Sequence, residues 1–364
     1  MKYWRGYLVA GILALCTWAL SQFAAAHTEL VDMVYPYVSR IIMDYLANWS
    51  ANFAGCLWQT ILFFLIALLV GSIVLMIVLR WNPIQWFGWV LSVVSLISLI
   101  HTGVYGLNQY AGPIADDVRL ELNEYSVGSL ERAAHYYLGK ANEYAQQVDR
   151  NADGSLRFDT FEEMAVTAAD GFSVLSYERT IPIFTGTTVP VKQLTGLFQD
   201  KTGMTVGLTG ESAVNPNIPT VGIPFAICHE MCHRMCVYPC NEADFGAYLA
   251  CADNPDPSFR YSGYLMAFRQ CHNALAAIQT SLGQDAMSRV LAEADQKVLQ
   301  DMEDYNSFFG ADADAVDDEL CKMLVSWHIQ ELAEYIQPEE DGTVFDPMDE
   351  TDERFQDILN PTEP

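Results

Sequence analysis

Basic residues are scarce in this sequence. Its 364 residues include 19 Lys and Arg against 46 Asp and Glu, which gives a formal net charge of −27 at pH 7. A chain with this charge repels the phosphate backbone of nucleic acids and the surface of anionic lipids. The composition therefore excludes nucleic-acid binding from the functions that we expect.

Charge of either sign is nearly absent from residues 1–108, which hold four of the basic and three of the acidic residues. Apolar runs without formal charge fill this region at residues 7–26, 57–79 and 84–107. The second and third runs are long enough to cross a bilayer as helices. The first is either a third membrane-spanning helix or a cleavable signal peptide. Because the runs contain no charged residues, a transporter is disfavoured.

The few basic residues beside the apolar runs predict the topology. Lys2 and Arg5 precede the first run, and Arg80 lies in the short turn between the other two. The positive-inside rule places all three in the cytoplasm. We therefore expect a multi-pass cell-membrane protein with residues 109–364 outside the cytoplasm.

The sequence as a whole predicts a mainly α fold, in which three N-terminal transmembrane helices precede a zincin-like α+β domain with a small sheet. The expected divisions are a membrane region at 1–108, this domain at 109–336 and an acidic tail at 337–364. Short strands are expected between residues 180 and 220, including one within 204–214. The predicted helices are 115–150 with a break near 127, 159–176 with Asp159 as N-cap, 223–235, 242–251, 257–280, 284–308 and 313–336.

The motif His229-Glu230-Met231-Cys232-His233 carries the chemistry. On a helix, His229 and His233 project from one face and can bind one ion together. Glu230 lies beside that face, where its carboxylate can take a proton from a metal-activated water. Zn²⁺ fits these ligands and brings the pKa of such a water near 7. The strand expected just before the motif would hold an extended peptide by strand addition.

A third metal ligand is expected shortly after the motif. Glu242 and Asp244 follow within a dozen residues, and a second helix could carry either carboxylate to the metal. Acidic residues are also common in the first turn of a helix without any metal role. Glu242 is the first choice.

An ordered set of segments resembles the bacterial family called domain of unknown function 3810. These segments are 208–215, 223–225, the motif, 242–245 and 247–251, together with the apolar N-terminal layout. The family is similar to zinc peptidases of the gluzincin kind. It usually has Glu-x-Glu-Ala-Asn after the motif, and Cys240 occupies the first Glu position here. The resemblance therefore implies that Cys240 supplies a thiolate, that Glu242 takes over, or that the third ligand is missing. Cys236 replaces the family's Gly.

The nine cysteines allow several interpretations. Cys228, Cys232, Cys236 and Cys240 recur every four residues, which is typical either of buried packing or of a second soft-metal site. A disulfide from Cys236 or Cys240 to another cysteine, at position 251, 271 or 321, is also open. For stabilising an oxyanion, the sequence offers Tyr261, Tyr264 and His272 on the next helix, although ordinary packing explains them too.

The sequence predicts a membrane-anchored zinc-dependent endopeptidase. In this hypothesis His229, His233 and Glu242 (or Cys240) bind Zn²⁺, Glu230 is the general base, and the partner is a peptide or protein substrate. The alternative is a catalytically inactive, zincin-like membrane sensor or scaffold that binds a peptide or protein partner.

Overall fold

The computed structural model describes residues 4–158, 160–186, 189–198, 201–310 and 315–335. Its α-helices are α1 (Arg5–Ala26), α2 (Thr28–Ser50), α3 (Leu57–Val78), α4 (Pro83–Val104), α5 (Ile114–Asp117), α6 (Val127–Ala145), α7 (Phe161–Ser173), α8 (Ile223–Arg234), α9 (Cys240–Ala252), α10 (Pro257–Ala277), α11 (Ser281–Ala292), α12 (Gln296–Phe309) and α13 (Asp318–Tyr335). The strands are β1 (Lys192–Gln193), β2 (Gly203–Val206) and β3 (Glu211–Val214). This mainly helical fold with a small sheet confirms the coarse prediction.

Helices α1, α3 and α4 are long and apolar enough to cross a membrane, as the sequence predicted. Helix α1 packs along α4, and the two helices meet near their N-terminal ends at two glycines. A Cβ on Gly6 would lie 2.5 Å from the carbonyl carbon of Gly88. The hydroxyl of Ser92 on α4 donates to the Gly6 carbonyl at 2.7 Å. Near their other ends, Ala24 of α1 packs in one cluster with Leu107, which follows α4. The two helices therefore run in the same direction, which the predicted topology requires.

Helix α2 was not predicted. Its inner face buries Val31, Ser39, Arg40, Met43 and Ala47, whereas its outer face exposes large apolar side chains to the surroundings. This two-faced pattern is typical of an amphipathic helix. It connects α1 to α3 and packs on the body of the protein.

The sheet has the order β1-β3-β2, with β1 parallel and β2 antiparallel to β3. Glu211 of β3 joins this sheet to the start of α3. Its carboxylate oxygens accept hydrogen bonds from the backbone N–H groups of Leu57 and Trp58, both at 2.8 Å. Lys192 of β1 pairs with the same carboxylate at 2.8 Å. An anion at a helix N-terminus is favourable. Glu211, which lies in one of the segments that carry the family resemblance, therefore stabilises the packing of α3 on the sheet.

The helical body packs around one large apolar core, in which α6, α9 and α10 contribute many buried side chains. A partly buried ion pair between Arg150 and Asp301 at 2.7 Å also ties the chain before α7 to α12. This packing holds α8 between the sheet and the helices.

Several local predictions need correction. The N-cap of α7 is Thr160, whose hydroxyl accepts from the Glu163 N–H at 3.1 Å, whereas Asp159 lies outside the described residues. The helix predicted at 284–308 is two helices, because Asp295 caps a new one. All nine cysteines lie in the described residues and are free, so none of the disulfides left open by the sequence is present. The tail at 337–364 lies outside the described residues.

Candidate functional site

The motif helix α8 forms one wall of a cleft of about 650 Å³. The cleft is lined by residues from five helices or strands and from the loops between them. They are His101, Tyr105, Lys201, Thr202, Gly203, Met204, Thr205, Gly222, Phe225, Ala226, His229, Glu230, His233, Tyr238, Cys240, Asp244 and Tyr305. The predicted residues His229, Glu230 and His233 therefore share one cavity.

The two motif histidines are oriented by acceptors on their Nδ1 atoms. His229 Nδ1 lies 2.6 Å from Asp244 Oδ1, and His233 Nδ1 lies 2.8 Å from the Val237 carbonyl oxygen. Because each Nδ1 atom has an oxygen acceptor, a neutral ring would carry its proton there and leave the Nε2 lone pair free for a metal. The ring centroids are 4.6 Å apart. Metal-binding histidines have this arrangement.

The acceptor for His233 depends on how α8 ends. Cys236 has a φ of +76°, and its N–H donates to the His233 carbonyl at 3.0 Å, while the Val237 N–H donates to the Cys232 carbonyl at 3.1 Å. This is a Schellman turn, which favours glycine at its left-handed position. The turn reverses the chain and brings the Val237 carbonyl to the His233 ring. Cys236, where the resemblance implied a Gly, thus lies at a backbone position that favours glycine.

Cys240, the first residue of α9, completes the group. Its Sγ lies 3.9 Å from His233 Nε2, and one ligand atom from each of His229, His233 and Cys240 lies within 4.8 Å of the others. The neighbouring imidazoles of His229 and His233 lower the pKa of the Cys240 thiol to about 6. Two imidazole nitrogens and one thiolate form a ligand set that zinc binds.

The two carboxylates proposed from the sequence lie elsewhere. Glu242 Oε2 accepts from the Ile114 N–H at 2.9 Å, and its side chain lines a separate cavity. The structure therefore does not bring Glu242 to the histidines, because its position on α9 turns it toward α5. Asp244 is near the site, but its carboxylate contacts Nδ1 of His229 and not Nε2. Burial lowers the pKa of His229, but the Asp244 carboxylate reverses this effect and raises the pKa well above its usual value.

Glu230 is held against the sheet. Its Oε2 accepts a hydrogen bond from the Thr205 hydroxyl at 2.6 Å, and the Ser212 hydroxyl donates to its backbone carbonyl at 2.9 Å. A Cβ on Gly203 would lie 2.4 Å from Glu230 Oε1. Only glycine at position 203 leaves room for this carboxylate in its observed position.

Strand β2 borders the cleft through Gly203, Met204 and Thr205. It pairs with β3 on one side, from Gly203 opposite Val214 to Val206 opposite Glu211. Within the described ranges, its other side forms the edge of the sheet. The strand expected within 204–214 is therefore two strands of a hairpin, because residues 207–210 form a turn.

The sequence did not identify the other polar groups of the cleft. His101 on α4, Tyr238 and Tyr305 were not among the predicted site residues, yet all three line it. The candidates named for an oxyanion lie outside the cleft lining. The Tyr261 hydroxyl donates to Asp301, and Tyr264 stacks on Tyr144. His272 is beside Phe268. These groups lie far apart in sequence, and no local motif signals them.

No curated protein and no solved structure matches this chain. One family model does match, over residues 31–324, and its description is "Protein of unknown function (DUF3810)". The matched segment begins within α2 and includes α3, α4, the sheet, α8 and α9. The chain therefore belongs to the family described as protein of unknown function DUF3810.

Proposed function

We propose that this protein is a membrane-anchored, zinc-dependent endopeptidase with a zincin-like domain and a gluzincin-type motif. The observation that carries the proposal is that His229, His233 and Cys240 offer ligand atoms within 4.8 Å of one another, while oxygen acceptors occupy both Nδ1 atoms. Core histidines need no such arrangement, but zinc ligands do. In this proposal Cys240 replaces Glu242 as third protein ligand.

The donor set fits zinc. Two neutral imidazoles and a thiolate leave one coordination position open, which is typical of a catalytic site. A zinc ion bound there would polarise a peptide carbonyl and lower the pKa of water to near 7. The cleft gives access to this open position. Cys240 is exposed, and the two histidines are only partly buried.

Glu230 is the proposed general base. The hydrogen bond from Thr205 fixes Oε2 and leaves Oε1 to accept the proton of the attacking water. The protonated carboxyl can then transfer that proton to the leaving amine. Tyr238, Tyr305 and His101 line the same cleft and are the candidate donors to the developing oxyanion.

Strand β2 is the proposed substrate-binding element. An extended polypeptide can add through backbone hydrogen bonds to the edge of β2 that pairs with no described strand, because β2 borders the cleft. Main-chain pairing holds the peptide in extended form beside α8. We propose that this body lies outside the cytoplasm, as the positions of Lys2, Arg5 and Arg80 indicate.

Zinc content and peptidase activity of the full-length chain in detergent test this function. We expect about one zinc per chain and cleavage within a mixed peptide pool, detected by mass spectrometry. Glu230→Gln should lower the cleavage rate by about 10²–10⁴-fold with zinc retained. The matched control is Glu303→Gln, which removes a carboxylate from the exposed face of α12. Zinc-free protein, or equal cleavage by Glu230→Gln and wild type, contradicts the proposal. Bound zinc without cleavage favours the scaffold.

A further inference from the structure

The cleft contains the end of a candidate membrane span. His101 and Tyr105 at the C-terminal end of α4 line the cavity that holds His229 and His233. The Tyr105 hydroxyl also donates to the His233 carbonyl at 3.1 Å. The metal-binding group is therefore attached directly to the point where α4 meets the body.

Helix α2 is fixed to the same region. Arg40 Nε donates to the Met235 carbonyl at 3.2 Å, at the end of the motif helix, and the Ser39 hydroxyl donates to the Val104 carbonyl at 2.7 Å. A Cβ on Gly210, in the β2–β3 turn, would lie 2.6 Å from the backbone N of Ala47. Helix α2 therefore packs on both α4 and the hairpin that borders the cleft.

Both ends of α2 are held at candidate spans. Only His27 separates its first residue from α1. At its other end, Lys192 Nζ donates to the Ser50 carbonyl at 2.9 Å and to Glu211 at 2.8 Å, and Glu211 caps α3. Its 23 residues span ~34 Å at 1.5 Å per residue. In the predicted topology, α1 leaves the membrane and α3 re-enters it on the same side. A helix of this length that is fixed to both of them lies along the membrane surface.

The face of α2 that points away from the body is mainly apolar, and it also carries the polar pair Asp44 and Asn48, joined by a hydrogen bond of 3.1 Å. It exposes eight large apolar side chains, several at more than half of their maximal area: Leu30, Met33, Val34, Tyr37, Val38, Ile41, Tyr45 and Trp49. They recur at three- and four-residue intervals and form one stripe. An exposed stripe of this size needs an apolar partner, and its continuity with α1 and α3 makes the bilayer that partner.

We propose that the outer face of α2 lies in the polar–apolar boundary of the bilayer and that the cleft takes polypeptides that are themselves attached to the membrane. The substrate class rests on the proposed peptidase function, whereas the position of α2 does not. Because the protein carries a formal net charge of −27, the contact is made by apolar burial, with no attraction to anionic lipid.

The position of α2 is tested with an environment-sensitive fluorophore on full-length protein in phosphatidylcholine vesicles. The background is Cys16→Ser and Cys240→Ser, since these are the two exposed cysteines. Ile41→Cys and Tyr45→Cys, each 71% exposed, report on the stripe, and Leu282→Cys, 58% exposed on α11, is the matched control.

We expect spin-labelled lipids to quench the fluorophores at positions 41 and 45, and aqueous iodide to quench the fluorophore at position 282. Iodide quenching at all three positions overturns the proposal. Protection of positions 41 and 45 from both quenchers also overturns it, because a second protein chain would then cover the stripe.

The substrate class is tested by cleavage of one peptide pool in two forms, free and coupled to a lipid anchor in the same vesicles. Attachment to the surface raises the local concentration at the cleft, so we expect the anchored pool to be cleaved at least about tenfold faster per molecule. Equal rates overturn the inferred substrate class and leave the peptidase intact. No zinc-dependent cleavage of either pool instead contradicts the proposed function, and with it the substrate class, whereas the quenching result stands independently.

Discussion

The Nδ1 atom of His229 lies 2.6 Å from Oδ1 of Asp244, which is 15 residues further along the chain. This contact joins α8 to α9 and fixes the direction of the nitrogen on the far side of the ring. Asp244 thus acts on the proposed metal through the histidine, as carboxylates often do at zinc sites.

Loss of the Asp244 carboxylate is expected to weaken zinc binding. Asp244→Asn keeps an acceptor for Nδ1 and should lower zinc affinity about tenfold, and Asp244→Ala should lower it about 100-fold. Competition with a fluorescent chelator measures both affinities. Asp304→Asn, on the exposed face of α12, is the control and should leave the affinity unchanged. Wild-type affinity in Asp244→Ala would disprove the orienting role.

Cys240 is expected to react with a maleimide only without zinc. In a Cys16→Ser background it is the one exposed cysteine, and a thiolate bound to metal is a poor nucleophile. Mass spectrometry should find one modified thiol per chain in metal-free protein and none in zinc-loaded protein. We expect Cys240→Glu to retain zinc and Glu242→Gln to bind it as wild type does. Equal labelling with and without zinc would remove Cys240 from the ligand set.

Gly203→Ala is expected to displace Glu230. The new Cβ would meet Oε1 at 2.4 Å, and a side-chain end can move more easily than backbone. A shift of about 1 Å in a catalytic group can lower the rate about 100-fold. Peptide cleavage should fall by this factor, while zinc content and the unfolding temperature stay near wild type. Full activity in this variant would show that the position of Glu230 is unimportant.

The left-handed backbone at Cys236 is expected to appear as a stability difference between two variants. Both Cys236→Gly and Cys236→Ala remove the buried thiol, but only alanine keeps the steric cost at a φ of +76°. The glycine variant should be more stable than the alanine variant by about 1 kcal/mol. Urea unfolding in a mild detergent measures the difference. Equal stabilities would mean that this turn is unstrained.

The proposed topology can be checked with a membrane-impermeant maleimide on intact cells. Cys240 should be labelled if residues 109–364 lie outside, provided that zinc is first removed. Trp81→Cys in a Cys240→Ser background lies in the turn between α3 and α4. It should be labelled only after permeabilisation. The reverse pattern would place the cleft in the cytoplasm.

The elements with a strong local signal could be predicted from the sequence. Long apolar runs gave α1, α3 and α4 to within a few residues, and the spacing of His229 and His233 placed both rings on one face of α8. These signals are local, because the length of an apolar run and the periodicity of a helix depend only on residues that are neighbours in the sequence.

The remaining features depend on tertiary contacts. Helix α2 was missed because its polar inner positions, such as Ser39 and Arg40, find their partners on α4 and α8. The choice between Cys240 and Glu242 depends on the orientation of α9 against α5, which brings Glu242 to Ile114. The contribution of His101 to the cleft depends on where α4 meets the body, and nothing near position 101 indicates this.

X-ray absorption at the zinc edge of the full-length, zinc-loaded protein tests the central claim most directly. The account predicts two imidazole nitrogens at about 2.0–2.1 Å and one sulfur at about 2.3 Å from the metal, with the sulfur lost in Cys240→Ser. Protein that binds no zinc, or zinc surrounded only by nitrogen and oxygen in the wild type, would contradict it.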